Sequence, residues 1–456
     1  MTPESAMLRD TLSANLGDAV TYDRDVMSAF HRDQSRLTAA GQPAALVRAR
    51  SVQDVVTTMT SAYAQGIPVV ARGAGTGLAG AANALDGCIV LSLEAMNRIL
   101  DIDPHSRTAT VQSGVLNGAL AAAASKVGLW YVPDPGSRAI STIGGNVATN
   151  AGGSCCAKYG VTGDHVARIK AVMADGRIIH TGANTRKNVA GLNLTQLLVG
   201  SEGTLGVIVE ATVRLRVQPN AASTVVASFA EPSEAIAAVL EITRESDPCL
   251  VEIMDRTTIS AVDELTHMGL DTHAGALLLV QCDGRDAANE AELCAQACNA
   301  AGATEVYATD DRVEGDEFMH ARRMVLPALE RLGGTLLDDL AVPVDKLPAM
   351  LTAIERTARS HEVLIGTFGH AADGNLHPTI IFDDNSPDET RRARCAFDDM
   401  VLACLDLGGS ISGEHGIGVL KLPHLEAMVG TVERDIMARI KKALDPKDIL
   451  NPGRAI

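Results

Sequence analysis

The 456-residue chain is poor in aromatics: one Trp, five Tyr and six Phe make up 3% of it. A pocket built to stack on a phenol or a nucleobase therefore has few rings to draw on. Positive charge is also scarce. Lys and Arg number 39 against 56 Asp and Glu, a net charge of −17, which argues against nucleic acid and anionic membrane as main partners. A small anionic substrate stays open, because one local Arg or metal ion can override the global sign. No apolar run approaches the ~20 residues of a membrane span, so no transmembrane segment is expected. The opening MTPESAMLRDTLSANLGDAV carries acids early and lacks a basic-then-apolar leader pattern. The nine cysteines include no C-x-x-C pair; Cys155 and Cys156 are adjacent, and Cys294 and Cys298 stand four apart. Buried or free thiols and a cytoplasmic setting are the expectation. Low-complexity tracts and solenoid repeats are missing too.

Glycine is plentiful, and it is clustered. The length implies two or three domains. Residues 1–45 read as a helical lead-in. Ser51 then caps a helix running to Gln65, and a buried strand at 67–71 feeds Arg72-Gly73-Ala74-Gly75-Thr76-Gly77-Leu78-Ala79-Gly80 before the next strand at 88–93. The G-x-G-x-x-G of Gly75–Gly80 raises a Rossmann site. Only residues 81–87 separate it from the next strand, whereas a parallel crossover needs a dozen or more residues, usually a helix. The loop is read instead as a nest of backbone N–H groups for phosphate. A hairpin follows at 99–115, turning at 103–106, and then an alanine-rich helix at 116–127. Val132–Ser137 and the glycine-rich 142–153 come next, the latter expected to run extended against a flat polar ligand. Further on stand a hairpin at 169–181 around Asp175-Gly176, a short helix at 193–200, the run Ser201-Glu202-Gly203-Thr204-Leu205-Gly206-Val207, and a strand at 208–217. From Gln218-Pro219-Asn220 strands and helices alternate, including one helix at 313–331 and one strand at 335–342, as in a separate sheet with helices on one face. A helix at 432–444 leads to the C-terminal run.

Two further segments carry chemistry. His370 and His377 stand seven apart in Gly369-His370-Ala371-Ala372-Asp373-Gly374-Asn375-Leu376-His377, and Glu414 precedes His415 in Ser412-Gly413-Glu414-His415-Gly416. Two His and one Glu suit Zn²⁺ or a similar divalent ion with open coordination positions. A single loop histidine usually only hydrogen-bonds; three histidines and a glutamate in two glycine-flanked segments favour a metal site. Asp373 fits a ligand-orienting role and a turn-capping role equally well. Lys421 fits an acid- or phosphate-facing role and a surface role equally well. The acidic stretch 383–389 reads as a solvated loop capping a helix.

Arg72–Gly80, Pro133-Asp134-Pro135-Gly136, 144–153 and Gly200–Gly206 resemble the FAD domain of the vanillyl-alcohol oxidase/para-cresol methylhydroxylase superfamily. GHAADGNLHP at 369–378, GEHGIG at 413–418 and LNPGR at 450–454 are similar to its FAD-linked oxidase C-terminal domain. That branch holds D-lactate dehydrogenases, the glycolate oxidase flavoprotein subunit and D-2-hydroxyglutarate dehydrogenase. The resemblance implies an α+β fold: a two-subdomain FAD-binding domain at 1–217, an α+β cap with an antiparallel sheet at 218–410, and a segment at 411–456 returning to the FAD domain. It implies noncovalent FAD, since no His or Cys stands in the first loop. Its contacts would be Arg72, Gly73, Ala74, Gly75, Thr76, Gly77, Leu78, Pro133, Asp134, Pro135, Gly136, Thr142, Gly145, Asn146, Thr149, Asn150, Gly203, Thr204, Gly206, Val207 and Asn451. It also implies a divalent metal on His370, His377 and Glu414, with Zn first and Mn or Fe open, His415 as base, and Arg322 on the substrate carboxylate. Leu337 and Thr379 replace a lysine and an asparagine that serve the distal carboxylate in the hydroxyglutarate enzyme, which favours a smaller 2-hydroxy acid.

The expected reaction is oxidation of a D-2-hydroxy acid to the 2-oxo acid by hydride transfer to flavin N5, with an electron-transfer protein, a quinone or another acceptor downstream. Three alternatives stay open: a metal-independent oxidase of an alcohol or sugar, a non-catalytic subunit of a glycolate-oxidase-like complex, and a metal hydrolase. A homodimer, and peripheral membrane attachment through the acceptor, are open as well.

Overall fold

Ser51 caps its helix as expected. Its hydroxyl accepts from Asp54 N at 3.2 Å, and the helix Val52–Gln65 ends at Gly66 in the left-handed region. The computed structural model describes residues 3–219 and 222–456; Met1, Thr2, Asn220 and Ala221, at the edges of the expected lead-in and of the change at 218–220, lie outside the described residues. Two compact units divide the chain. The first takes the chain up to Gly152, then Gly160–Gln218 and Glu414–Ile456; the second takes Gly153–Tyr159 and Pro219–Gly413.

In the first unit β1 (Val20–Thr21), β2 (Ala45–Arg48), β3 (Val69–Arg72) and β4 (Ile89–Ser92) form a sheet in the order β1-β2-β4-β3. Here β4 is parallel to both β2 and β3. The β3–β4 connection is therefore a parallel crossover after all. The whole loop of residues 73–88 supplies its length, and what it lacks is a helix. β5 (Ile99–Asp103) and β6 (Thr108–Gln112) make the expected hairpin, its turn held by Asp103 Oδ1 accepting from His105 N and Ser106 N. β7 (Leu129–Trp130) comes next, followed by β8 (Val166–Val172), β9 (Ile178–Gly182), β10 (Val207–Arg214) and β11 (Arg216–Val217). β5-β6-β10-β8-β9 is an antiparallel sheet, and β7 pairs with β11. Val172, Val207 and Val209 of this sheet share one core with Val69 and Leu91 of the first, so apolar burial ties the two sheets together at ~1.5–3 kcal/mol per large side chain. The C-terminal run completes it: Val69 N donates to Ile449 O and Asn451 N to Val69 O, at 2.7 and 2.9 Å.

A second expectation in this unit is overturned. Residues 143–149 are not extended but form the helix Ile143–Thr149. Thr142 caps it by accepting from Gly145 N, and Asn150 ends it at φ +56°. Glycines disfavour helix by about 1 kcal/mol each, but the cap and close packing override that: a Cβ on Gly144 would stand 2.5 Å from Ser113 Cβ.

The second unit is built on an antiparallel sheet. Its strands are β12 (Ala222–Phe229), β13 (Leu250–Asp255), β14 (Ala276–Asp283), β15 (Glu305–Thr309), β16 (Gly334–Leu337), β17 (Leu340–Ala341), β18 (Leu364–His370) and β19 (Asn375–Phe382). The order is β15-β12-β14-β13-β18-β19-β16, with β17 also on β19. Helices pack on both faces of this sheet, not on one. Cys282 of β14 meets Cys294 of helix Ala287–Ala300 at 3.9 Å between sulfurs. The register places Thr224 opposite Gln281, hence on the other face, where Gly315 of helix Arg312–Arg323 sits on Thr224. The helix expected at 313–331 breaks at Met324 into Arg312–Arg323 and Val325–Glu330; Pro327 lacks the N–H that would bond the Arg323 carbonyl. The strand expected at 335–342 splits into β16 and β17 around Asp338-Asp339. Ser386 caps helix Pro387–Asp406 behind the acidic stretch, as expected. Among the described residues no helix is long and apolar enough to cross a membrane.

Candidate functional site

In the first unit the glycine-rich segments converge. A Cβ on Gly73 would collide with Thr142 Oγ1, so the first loop lies directly against the cap of helix 143–149. Gly75 is at φ +72°, with the Arg72 guanidinium where a side chain would go, and Gly77 faces the Asp33 carboxylate. Ala74, Thr76 and Leu78 are partly exposed along the same loop. Arg72 is buried and donates from Nη1 to Arg32 O at 2.8 Å; burial lowers its pKa. Pro133 and Pro135 are buried, Asp134 half-buried and Gly136 exposed, with Pro133 O accepting from Asn117 Nδ2 at 3.0 Å. Thr149 and Asn150 close the short helix, and Asn150 Oδ1 accepts from Gly163 N.

Asn451 ties two of these segments: its Nδ2 donates to Ala81 O at 3.0 Å and to Glu202 O at 2.6 Å, and Gly203 at φ +76° packs beside it. Thr204 turns its hydroxyl to Ser201 O. Gly206 and Val207 face inward instead: Gly206 packs on Leu198 and Met173, and Val207 is fully buried in the core. Only their main chain is left to meet a cofactor.

Arg72 Nε, Ser141 Oγ, Asn146 Nδ2 and Asn451 Oδ1 are buried without a hydrogen-bond partner. An unpaired buried polar atom costs about 1–3 kcal/mol. Four of them around glycine loops shaped for close backbone approach fit a large polar ligand such as FAD.

The second unit brings two of the three expected metal ligands together. Register sets Phe368 opposite His377 and His370 opposite Asn375 across β18 and β19. The two imidazoles meet edge to face, with centroids 5.1 Å apart, and both are buried. The hairpin between them needs Gly374 at φ +78°, where a Cβ would collide with Val342 O. His370 Nδ1 lies 2.6 Å from Glu252 Oε1, and Glu252 Oε2 accepts from Arg322 Nε at 2.5 Å. Glu252 belongs to β13, opposite His370, and is 1% exposed. Burial pushes its carboxyl up, but the charges and hydrogen bonds of Arg322 and His370 outweigh that and hold it at about 2. The Arg322 guanidinium also lies over Phe368 at 4.7 Å, and Phe368 in turn touches His377. His377 Nδ1 stands 3.7 Å from Asp339 Oδ1, and Asp339 accepts from Asn375 Nδ2 and Ser412 Oγ at 2.8 and 2.9 Å.

Glu414 and His415 belong to the first unit, where His415 Nε2 is 3.4 Å from Glu414 Oε1. Behind them the buried Glu202 carboxylate accepts from Ile417 N and Gly418 N, both at 2.8 Å. Burial, opposed by these two donors, raises its pKa to about 7.

Glu252, Asp339 and Glu202 do not stand out as site residues in the sequence. The first had a signal, a lone carboxylate inside the apolar run Leu250-Val251-Glu252-Ile253-Met254, since a buried acid needs a partner.

Residues 218–455 match the family described as FAD linked oxidases, C-terminal domain, and residues 43–182 match the FAD binding domain. Glycolate oxidase subunit GlcD of Bacillus subtilis is 39% identical, over 90% of this chain and 88% of its own length. D-lactate dehydrogenase of Anaerostipes hadrus is 34% identical, over 96% and 94%. The structure of p-cresol methylhydroxylase with substrate bound superposes with a TM-score of 0.84, covering 100% of this chain and 97% of that one. At 18% identity it shares the fold alone.

Proposed function

The chain belongs to the FAD-linked oxidases, and from that premise we propose that it oxidises a small D-2-hydroxy acid, of the glycolate and lactate class, to the 2-oxo acid with the aid of a divalent metal ion. The observation that carries the metal is the buried His370–His377 pair with Glu252 on His370 Nδ1. A carboxylate on one ring nitrogen fixes the tautomer and turns Nε2 outward as a ligand, the usual support of a metal-bound histidine. Glu414 is the third ligand, following Gly413, whose main chain packs on the Asn375 carboxamide. Zn²⁺ suits two imidazoles and a carboxylate, with Mn²⁺ or Fe²⁺ as alternatives.

Bound FAD supplies the two-electron acceptor, and a bound divalent ion supplies the positive charge that makes the substrate hydroxyl more acidic. His415 takes the hydroxyl proton; imidazoles titrate near ~6.5, which suits general-base work around neutrality. Arg322 holds the substrate carboxylate. Its guanidinium is fixed by Glu252 at Nε and by the Phe368 face, and a fork held in one orientation binds a carboxylate better than a mobile point charge. Leu337 and Thr379 form a cross-strand pair between β16 and β19, and the Thr379 hydroxyl is turned to His377 O. Neither offers a cation to a second carboxylate, which supports the short substrate. A metal-independent alcohol or sugar oxidase leaves the buried Glu252–His370 pair without a task.

The test is anaerobic flavin bleaching across glycolate, D- and L-lactate and D-2-hydroxyglutarate. Glycolate or D-lactate is expected to bleach fastest. Bleaching by D-2-hydroxyglutarate alone, or by none of the acids, would sink the reading.

A further inference from the structure

We infer that Glu202 is a positioning residue for His415: its side chain anchors the loop on which the base is carried to the framework of the glycine-rich cofactor loops. The inference rests on the reading of His415 as base. The loop after His415 is irregular, so its main-chain N–H groups cannot be satisfied by a helix or a strand partner. Glu202 takes two consecutive ones, from Ile417 and Gly418, one on each carboxylate oxygen. Ala79 O takes the next two, from Val419 N and Leu420 N, at 2.8 and 3.0 Å. The fit leaves no slack. A Cβ on Gly416 would stand 2.9 Å from Glu202 Oε1, and one on Gly418 would collide with Ala79 O.

The two anchors are themselves joined. Asn451 Nδ2 bonds the main-chain carbonyls of both Glu202 and Ala81. Glu202 reaches its place at φ +48°, a left-handed conformation that costs a non-glycine residue about 1 kcal/mol or more and persists where its surroundings over-determine it. The geometry calls for a carboxyl group. Two adjacent N–H donors meet its two oxygens, both of which keep lone pairs, whereas a carboxamide has one acceptor and turns an NH₂ toward the second donor. His415 is one residue from Gly416, so a shift of this loop moves the imidazole directly. A misplacement of ~1 Å can cost about a hundredfold in rate.

A double-mutant cycle separates positioning from mere bracing. Flavin reduction by D-lactate is followed anaerobically by stopped flow in the holoprotein, with FAD content measured alongside, for Glu202→Gln, Glu202→Asp, His415→Ala and the Glu202→Gln/His415→Ala pair. Glu202→Gln is expected to keep its FAD and to reduce about 10- to 100-fold slower, and Glu202→Asp to regain most of the rate. In the His415→Ala background Glu202→Gln is expected to cost less than about twofold, because a base that is absent cannot be misplaced. A Glu202→Gln protein with wild-type rate, or a loss that persists in full without His415, overturns the inference. Should Glu202→Gln fail to fold, Gly416→Ala, whose Cβ would crowd the Glu202 carboxylate from the loop side, is put through the same cycle: slowing that vanishes without His415 supports the inference, and an equal or absent effect in both backgrounds overturns it. If His415→Ala itself reduces at the wild-type rate, the base assignment falls. That outcome is distinct from a slow His415→Ala beside an unaffected Glu202→Gln, which removes Glu202 alone.

Discussion

Glu252 is the residue on which the imidazole pair depends. Its carboxylate is buried between a guanidinium and an imidazole, and breaking a buried ion pair from one side costs about 3–5 kcal/mol. Glu252→Gln is therefore expected to lower the melting temperature by several degrees and to reduce bound metal, measured by calorimetry and elemental analysis. The pH dependence follows from the sign of the shift. The folded carboxyl is held at about 2 against 4.5 in its ordinary state, so the stability it contributes is present above about 4.5 and is lost as pH falls through about 2. The acid limb of the stability profile is expected to flatten in Glu252→Gln; an unchanged limb would contradict the assignment. Glu202 has the opposite sign. Its raised pKa, about 7, makes folding favour the protonated carboxyl, a contribution present below about 4.5 and lost as pH rises through 7. At this scale His370 and His377 stand out as candidate site residues, because histidines flanked by glycines announce chemistry, and the structure brings their two rings together. Their supporting acids do not stand out, because strand register, which alone sets Glu252 opposite His370, is not written in local sequence.

The β18–β19 hairpin is the element that turns two residues seven apart in sequence into one pair of rings. Its turn relies on Gly374. Gly374→Ala meets both an unfavourable φ and the Val342 carbonyl, and is expected to cost about 2 kcal/mol or more and to lower metal content more than FAD content. Equal losses of both would point to global unfolding instead. The helix 143–149 gives a complementary case. Removing its cap in Thr142→Ala is expected to cost about 1 kcal/mol and to weaken FAD retention during dialysis, since Thr142 also abuts Gly73. From sequence alone this stretch reads as extended. Its glycines and small side chains carry no helical period, and its stability comes from a cap and from packing on Ser113. The break at Met324 was legible in principle through Pro327. Helices on both faces of the second sheet were not, because a strand buried on both sides shows only a continuous apolar run.

The whole molecule draws its two units from interleaved stretches of chain. The first unit is closed by Glu414–Ile456, and the second captures Gly153–Tyr159, held there by Lys158 and Tyr159 on Asp283 at 2.8 and 2.6 Å. The antiparallel sheet and the glycine-rich cofactor loops could be read from pattern and motif; the capture of seven residues from between two glycine-rich turns could not. The proposed oxidation rests on one requirement, a metal ion on His370, His377 and Glu414. Its most direct test is anaerobic reduction of the enzyme-bound flavin by D-lactate, before and after chelation and after adding back Zn²⁺ or Mn²⁺, with FAD content checked at each stage. The expected result is a loss of at least about a hundredfold on chelation, with FAD retained, and recovery on adding metal. Reduction at the full rate by protein shown to be free of metal would contradict the claim.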